Sequence, residues 1–240
     1  YGDMDIEEKL HWLDQEYLGK YDREPVDSRI RFQEPFAEMQ EKVIPYSIAS
    51  EESEEDNTYL SYNKVVGTSL DKELYLAFQI LDYALLSAPG APLKKALTDA
   101  GIGKDIMGSY DNGIYQPIFS VIAKNANEEQ KEEFIQVIED VLRASVKNGI
   151  DTKAIEAGIN YYEFRYREAD FGNYPKGLMY GLQMYDSWLY DDEKPFIHIK
   201  TNEIFKQLRE EIENGYFENL IKEYLLSLIH ISEPTRLGMI

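Results

Sequence analysis

The chain has 240 residues, 43% of them hydrophobic, with 19 tyrosines and 10 phenylalanines, enough to bury the core of one large domain or a domain and a half. Its 45 acids against 25 bases give a net charge of -20, which repels nucleic-acid phosphates and anionic lipid and favours basic partners, unless it serves solubility alone. The absence of cysteine excludes disulfides, thiol catalysis and cysteine-ligated zinc or iron–sulfur sites, and no apolar run approaches the ~18 residues that a membrane span requires.

Taken in chain order, YGDMDIEEKLHWLDQEYLGKYD reads as the end of a strand, a turn and a helix. Asp5 is placed to cap that helix, Glu7 and Glu8 suit its first turn, and Leu10, Leu13, Tyr17 and Leu18 form a stripe expected to be buried. From Arg23 to Glu55 the periodicity weakens. Prolines stand at 25, 35 and 45, and ASEESEED follows, which predicts a connector with an acidic, solvated loop and the best domain boundary in the chain. Residues 1–34 are therefore assigned to the closing strand and helix of a preceding domain, and 35–57 to a linker.

Thr58 to Thr68 is rich in β-formers and predicts a strand. DKELYLAFQILDYALL predicts a helix beginning near Asp71, with Leu74, Phe78, Leu81 and Leu85 on one face. Pro92 suits the first turn of a short helix that Gly101 and Gly103 end. Two apolar runs flank Asp111-Asn112-Gly113, a hairpin signal, and Asn127 can cap a long helix with Phe134, Ile138, Val141 and Leu142 facing inward. Further helices are expected from Asp151 to about Ala169, from Pro175 through Tyr190, and from Asn202 onward. The order strand, helix, helix, hairpin, helix predicts an α+β class: a layered, mostly antiparallel sheet covered by helices, spanning 58–225 with trailing helices.

Candidate chemistry is sparse. His11, His198 and His230 are too dispersed for a local metal motif. Gly101-Ile102-Gly103-Lys104 lacks the spacing and the Lys-Ser/Thr pair of a phosphate loop, and its glycines suit a helix end. In YEFRYREADFGNYP, Glu163 and Arg167 are spaced for a surface pair, as are Glu156 and Asn160. Glu168 and Asp170 are two apart and diverge on a helix; Asp170-Phe171-Gly172 lacks the other parts of a kinase site. The acidic loop Glu51 to Asp56 lacks the glycine of a calcium loop. No catalytic, metal-ligating or substrate-contact residue is assigned.

Three stretches carry a resemblance: YGDMDIEEKLHWLDQEYL, GAPLKKALTDAGIGKDIMGSYDNGIYQPIFSVIAKN and INYYEFRYREADFGNYPKGLMYGLQMYDSWLYDDEKPF. Together they resemble the insulinase-type (pitrilysin-like) zinc metallopeptidases, specifically the presequence-protease branch, from Tyr1 to about Leu226. The resemblance implies four homologous α+β domains closing two bowls around an unfolded peptide. It also implies a first domain with a His-x-x-Glu-His motif whose zinc activates water. None of that motif is present, so the chain is expected to be an inactive fragment: the end of the first domain and most of a second, non-catalytic one that forms chamber wall. The implied zinc belongs to the parent enzyme, and none is expected on this fragment. Where the family places an arginine and a tyrosine near the substrate carbonyl, this chain has Thr98 and Lys104. The implied partners are peptide substrates, the preceding catalytic domain and the following C-terminal half of the same chain, with no nucleic acid and no membrane. The alternative is a non-catalytic structural or peptide-binding subunit. Any localisation signal is expected upstream of Tyr1, and a cytoplasmic setting is the default expectation.

LSLIHISEPTR, Leu226 to Arg236, translates the end of a transposase-type sequencing adapter. Residues 226–240 are therefore expected to be adapter read-through, and the start at Tyr1 a cut through a longer reading frame.

Overall fold

The computed structural model describes residues 2–169, 171–227 and 235–238, the last stretch by its backbone alone. Its centre is a three-stranded antiparallel sheet, β2 (Thr58–Val65), β4 (Ile118–Ala126) and β3 (Asp105–Asp111), in the order β2-β4-β3. Strand periodicity puts alternate residues on one face, and register lines them up across the sheet. Leu60 and Ile106 both pair with Ala123, Tyr62 and Gly108 with Val121, and Lys64 and Tyr110 with Phe119. Helices cover that face: α2 (Lys72–Asp82), α3 (Pro92–Asp99) and α4 (Lys131–Asn148), joined by α5 (Thr152–Glu168), α6 (Lys176–Trp188), α7 (Asn202–Glu210) and the short α8 (Tyr216–Leu220). The core contains fully buried Tyr62, Phe78, Phe119, Phe134, Phe205 and Phe217. Each contributes roughly 1.5–3 kcal/mol of burial.

The helix starts follow the side-chain caps anticipated above. Asp71 accepts from the amides of Glu73 (3.0 Å) and Leu74 (2.9 Å), and Asp151 from Lys153 (3.0 Å). Asn127 and Gln130 form a capping box on the single turn that leads into α4. Within α4, Phe134, Ile138 and Leu142 are buried as the spacing requires. Gly101, at φ +70°, closes α3, with its amide on Thr98 O and the Ile102 amide on Leu97 O, both at 3.0 Å. The expected hairpin is β3–β4, connected through 112–117 rather than by a two-residue turn. α2 continues as a wider π turn over Tyr83–Ser87, which brings Leu85 and Leu86 into the core and the Asp82 carboxyl against β3. Position 108 must be glycine there: a Cβ would run into Asp82 Oδ1 and the Leu86 side chain.

The first 57 residues depart from expectation in two places. Asp5 does cap α1 (Ile6–Glu16), accepting from the Glu8 amide at 3.0 Å, but the stripe read as buried is exposed, with Leu10 at 59% and Leu18 at 66%. Among the described residues, only the following 3-10 turn, Leu18–Lys20, packs substantially on α1, and no α1 residue is buried, so its amphipathic face meets water. No strand precedes it among the described residues. The connector, in turn, holds a strand, β1 (Glu41–Ile44), which pairs in parallel with β5 (Thr235–Gly238). Four residues, three of them exposed, whose partner lies at the other end of the chain leave no local signal. The connector is tied to the sheet domain at Gln33, whose amide donates to Gln116 Oε1 (2.7 Å) while Gln116 Nε2 donates to Gln33 O (3.1 Å).

Candidate functional site

The residues singled out in the sequence settle into structural roles. His11 lies on exposed α1, and His198 is buried; His230 and Asp170 lie outside the described residues. Thr98 Oγ1 donates to Lys94 O at 2.7 Å, and Lys104 pairs with Asp56 at 2.9 Å. Asp56, the last acid of the loop 51–56, also exchanges two 2.8 Å hydrogen bonds with Asn127, giving to its Oδ1 and accepting from its Nδ2. The Lys104 and Asn127 contacts hold its carboxyl below the usual range. The Glu163–Arg167 pair forms at 2.6 Å, and Glu163 takes a second arginine, Arg209 of α7, at 2.7 Å. Arg209 also donates to Asn160 at 3.1 Å, so Asn160 ties α5 to α7 rather than pairing with Glu156. The Glu168 carbonyl accepts from Lys176 Nζ at 2.9 Å.

The densest buried polar group joins α2, α6 and the turn before α7. Tyr75 Oη donates to Asp186 Oδ2 at 2.8 Å, and the Tyr75 ring stacks on His198 with centroids 3.8 Å apart. His198 Nε2 donates to Ser69 O at 2.7 Å, which fixes the proton on that nitrogen. Gln79 Nε2 donates to Tyr166 Oη at 3.3 Å nearby. Burial pushes the Tyr75 phenol well above its ordinary range. Burial also pushes Asp186 up, with repulsion from Asp111 adding to it and the Tyr75 bond opposing it. His198 is pushed down to about 4, again by burial, against the bond to Ser69. At neutral pH the group is thus a neutral tyrosine, a neutral histidine and a hydrogen-bonded acid. No nucleophile sits beside a base, so its chemistry is that of a lock holding 186–201 onto α2. Sequence reading missed it because these bonds span 111 and 129 residues.

Among the described residues no three His, Cys, Asp or Glu side chains come together as a metal-holding group. His198, already stacked and donating to a carbonyl, does not fit a zinc centre. No described helix is long and apolar enough to cross a membrane.

With that geometry established, comparison with known proteins is informative. The family described as the peptidase M16 inactive domain matches residues 1–162. Protein HypA of Clostridium perfringens is 42% identical over 232 residues, covering 97% of this chain and 24% of that protein. Presequence protease 1, chloroplastic/mitochondrial, of Arabidopsis thaliana is 32% identical over 238 residues, covering 96% of this chain and 22% of that protein. The chain therefore spans about a quarter of the length of these curated relatives. The crystal structure of a peptidase M16 inactive domain from Pseudomonas fluorescens has the same fold, with a TM-score of 0.58 at 14% identity, over 95% of this chain and 50% of that one.

Proposed function

The chain belongs to the peptidase M16 (insulinase-type) family as an inactive peptidase domain, and from that premise we propose that it serves as the non-catalytic wall of a chamber in which a longer zinc-dependent endopeptidase degrades peptides. The observation that carries the reading is the match to the inactive-domain family, together with the lack of a metal-holding side-chain group among the described residues. In this reading zinc and its activated water belong to a preceding catalytic domain, and residues 1–34 close that domain. The linker is 35–57, the second domain is 58–225, and 226–240 is an adapter-derived tail. The relatives named presequence proteases support peptides as the substrate class. The -20 charge favours basic ones.

The test is the genomic reading frame upstream of the Tyr1 codon, followed by assay of the longer protein. We expect codons for His-x-x-Glu-His upstream, and peptide cleavage by the longer protein that a zinc chelator abolishes. A start codon close to Tyr1 with no such motif would instead make this a stand-alone peptide-binding or structural subunit.

A further inference from the structure

A cavity of about 130 Å³ lies between α2, α5 and α6, apart from the buried lock at Tyr75 and His198. It is lined by Gln79, Tyr162, Arg165, Tyr166, Phe171, Tyr180 and Gln183. Its walls are aromatic: Phe171 and Tyr180 meet edge to face with centroids 5.5 Å apart, and Tyr166 is anchored from behind by an edge contact to buried Phe205 at 5.7 Å. Such walls accept a flat or branched apolar group of about the size of one ring.

Of the cavity's polar groups, Gln79 Nε2 and Tyr166 Oη are bonded to each other at 3.3 Å, which leaves Arg165 and Gln183 to face a ligand. Arg143, Arg167 and Arg209 are each within 2.7 Å of a carboxylate oxygen, as an acidic surface makes easy. Arg165 differs from these three: like Arg23 and Arg31, it forms no ion pair among the described residues. It is instead held beside Tyr161, with Nη1 donating to Tyr161 Oη at 3.4 Å and the guanidinium 5.6 Å from the ring centroid. That contact orients the cation while leaving its other donors open. The Gln183 amide, partly buried in the same wall, also makes no hydrogen bond among the described residues. An arginine without a carboxylate in a chain of net charge -20, held at an aromatic pocket with an open amide, is the recognition chemistry for an anion carried on an apolar body.

We propose that this cavity binds a carboxylate attached to a ring-sized apolar group, the chemistry of a peptide C-terminus ending in an aromatic residue. The ring enters between Tyr166, Phe171 and Tyr180, and the carboxylate meets Arg165, with the Gln183 amide as second donor. The inference does not depend on the zinc-peptidase reading, since it concerns binding by this chain alone.

The test is calorimetric titration of the full 240-residue chain with Ala-Ala-Phe, with its C-terminal amide, and with phenylacetate. The free acid should bind at least tenfold more tightly than the amide. Arg165→Gln, at an exposed position, should abolish that preference while leaving the melting temperature unchanged, and Tyr180→Ala should weaken the acid. Phenylacetate binding as tightly as the tripeptide supports the site and assigns free aromatic acids as its ligands; much weaker binding supports it and assigns peptide C-termini. Equal binding of acid and amide by the parent chain, no binding of either, or a preference that survives Arg165→Gln overturns the proposal.

Discussion

Replacing Asp82 by Asn should stabilise the protein at neutral pH. Asp82 ends α2 with Oδ1 buried against β3 and without a hydrogen-bond partner. Burial pushes its carboxyl up to about 6 from the ordinary 3.8. The folded chain thus holds this proton more tightly than the unfolded chain does. Stability from this group therefore falls as pH rises from 3.8 to 6 and stays level above. At about 1.4 kcal/mol per pH unit, the ionised form costs about 3 kcal/mol at pH 7. Asn keeps the shape without the charge but still needs amide partners, so the expected net gain at pH 7.5 is about 1–3 kcal/mol, or ~2–10 °C in melting temperature for a chain of this size. Calorimetric or urea unfolding of both proteins between pH 4 and 7.5 reads this directly, and the difference should move against Asn by about 3 kcal/mol from pH 7.5 to pH 4. Stability curves that run parallel across that range would refute the reasoning.

Three further outcomes are expected. His198, pushed down to about 4 from 6.5, is neutral when folded, so stability falls as pH drops through that window, by up to about 3 kcal/mol. His198→Gln retains a donor for Ser69 O and should flatten the acid limb of urea-unfolding stability; an unchanged limb contradicts the assignment. In hydrogen exchange, the α1 amides should lose protection orders of magnitude faster than those of α2, because an 11-residue helix with no buried residue has only local hydrogen bonds to hold it. Equal protection would show that α1 docks on the sheet domain. Truncation after Ser227 should change the melting temperature by less than about 2 °C, within the range of a peripheral change. A cooperative loss would mean that β5 and its pairing with β1 belong to the native fold.

The fold was legible where chemistry is local. Asp5, Asp71, Asn127 and Asp151 announce helix starts because a short acceptor at an N-cap has one geometric use, and the alternation through Leu60 and Tyr62 marks a strand with one buried face. Gly101 marks a helix end because φ +70° suits few other residues. The pairing of Tyr75 with Asp186, the double arginine on Glu163 and the β1–β5 strand pair were not legible, since each joins segments far apart in sequence. The stripe on α1 shows the converse limit: periodicity reports that a face is apolar, not that this chain supplies its cover. The aromatic cavity was half visible, as a dense run at 162–175, but Gln79 and Gln183 join it only through packing.

The most direct test of the central claim is metal content and turnover of the purified 240-residue chain. Dialysed against zinc and analysed by elemental mass spectrometry, it should retain far less than one zinc per chain and leave a quenched fluorogenic peptide intact. Stoichiometric zinc together with peptide cleavage that a chelator stops would contradict the account, because the hydrolytic centre would then lie within these residues.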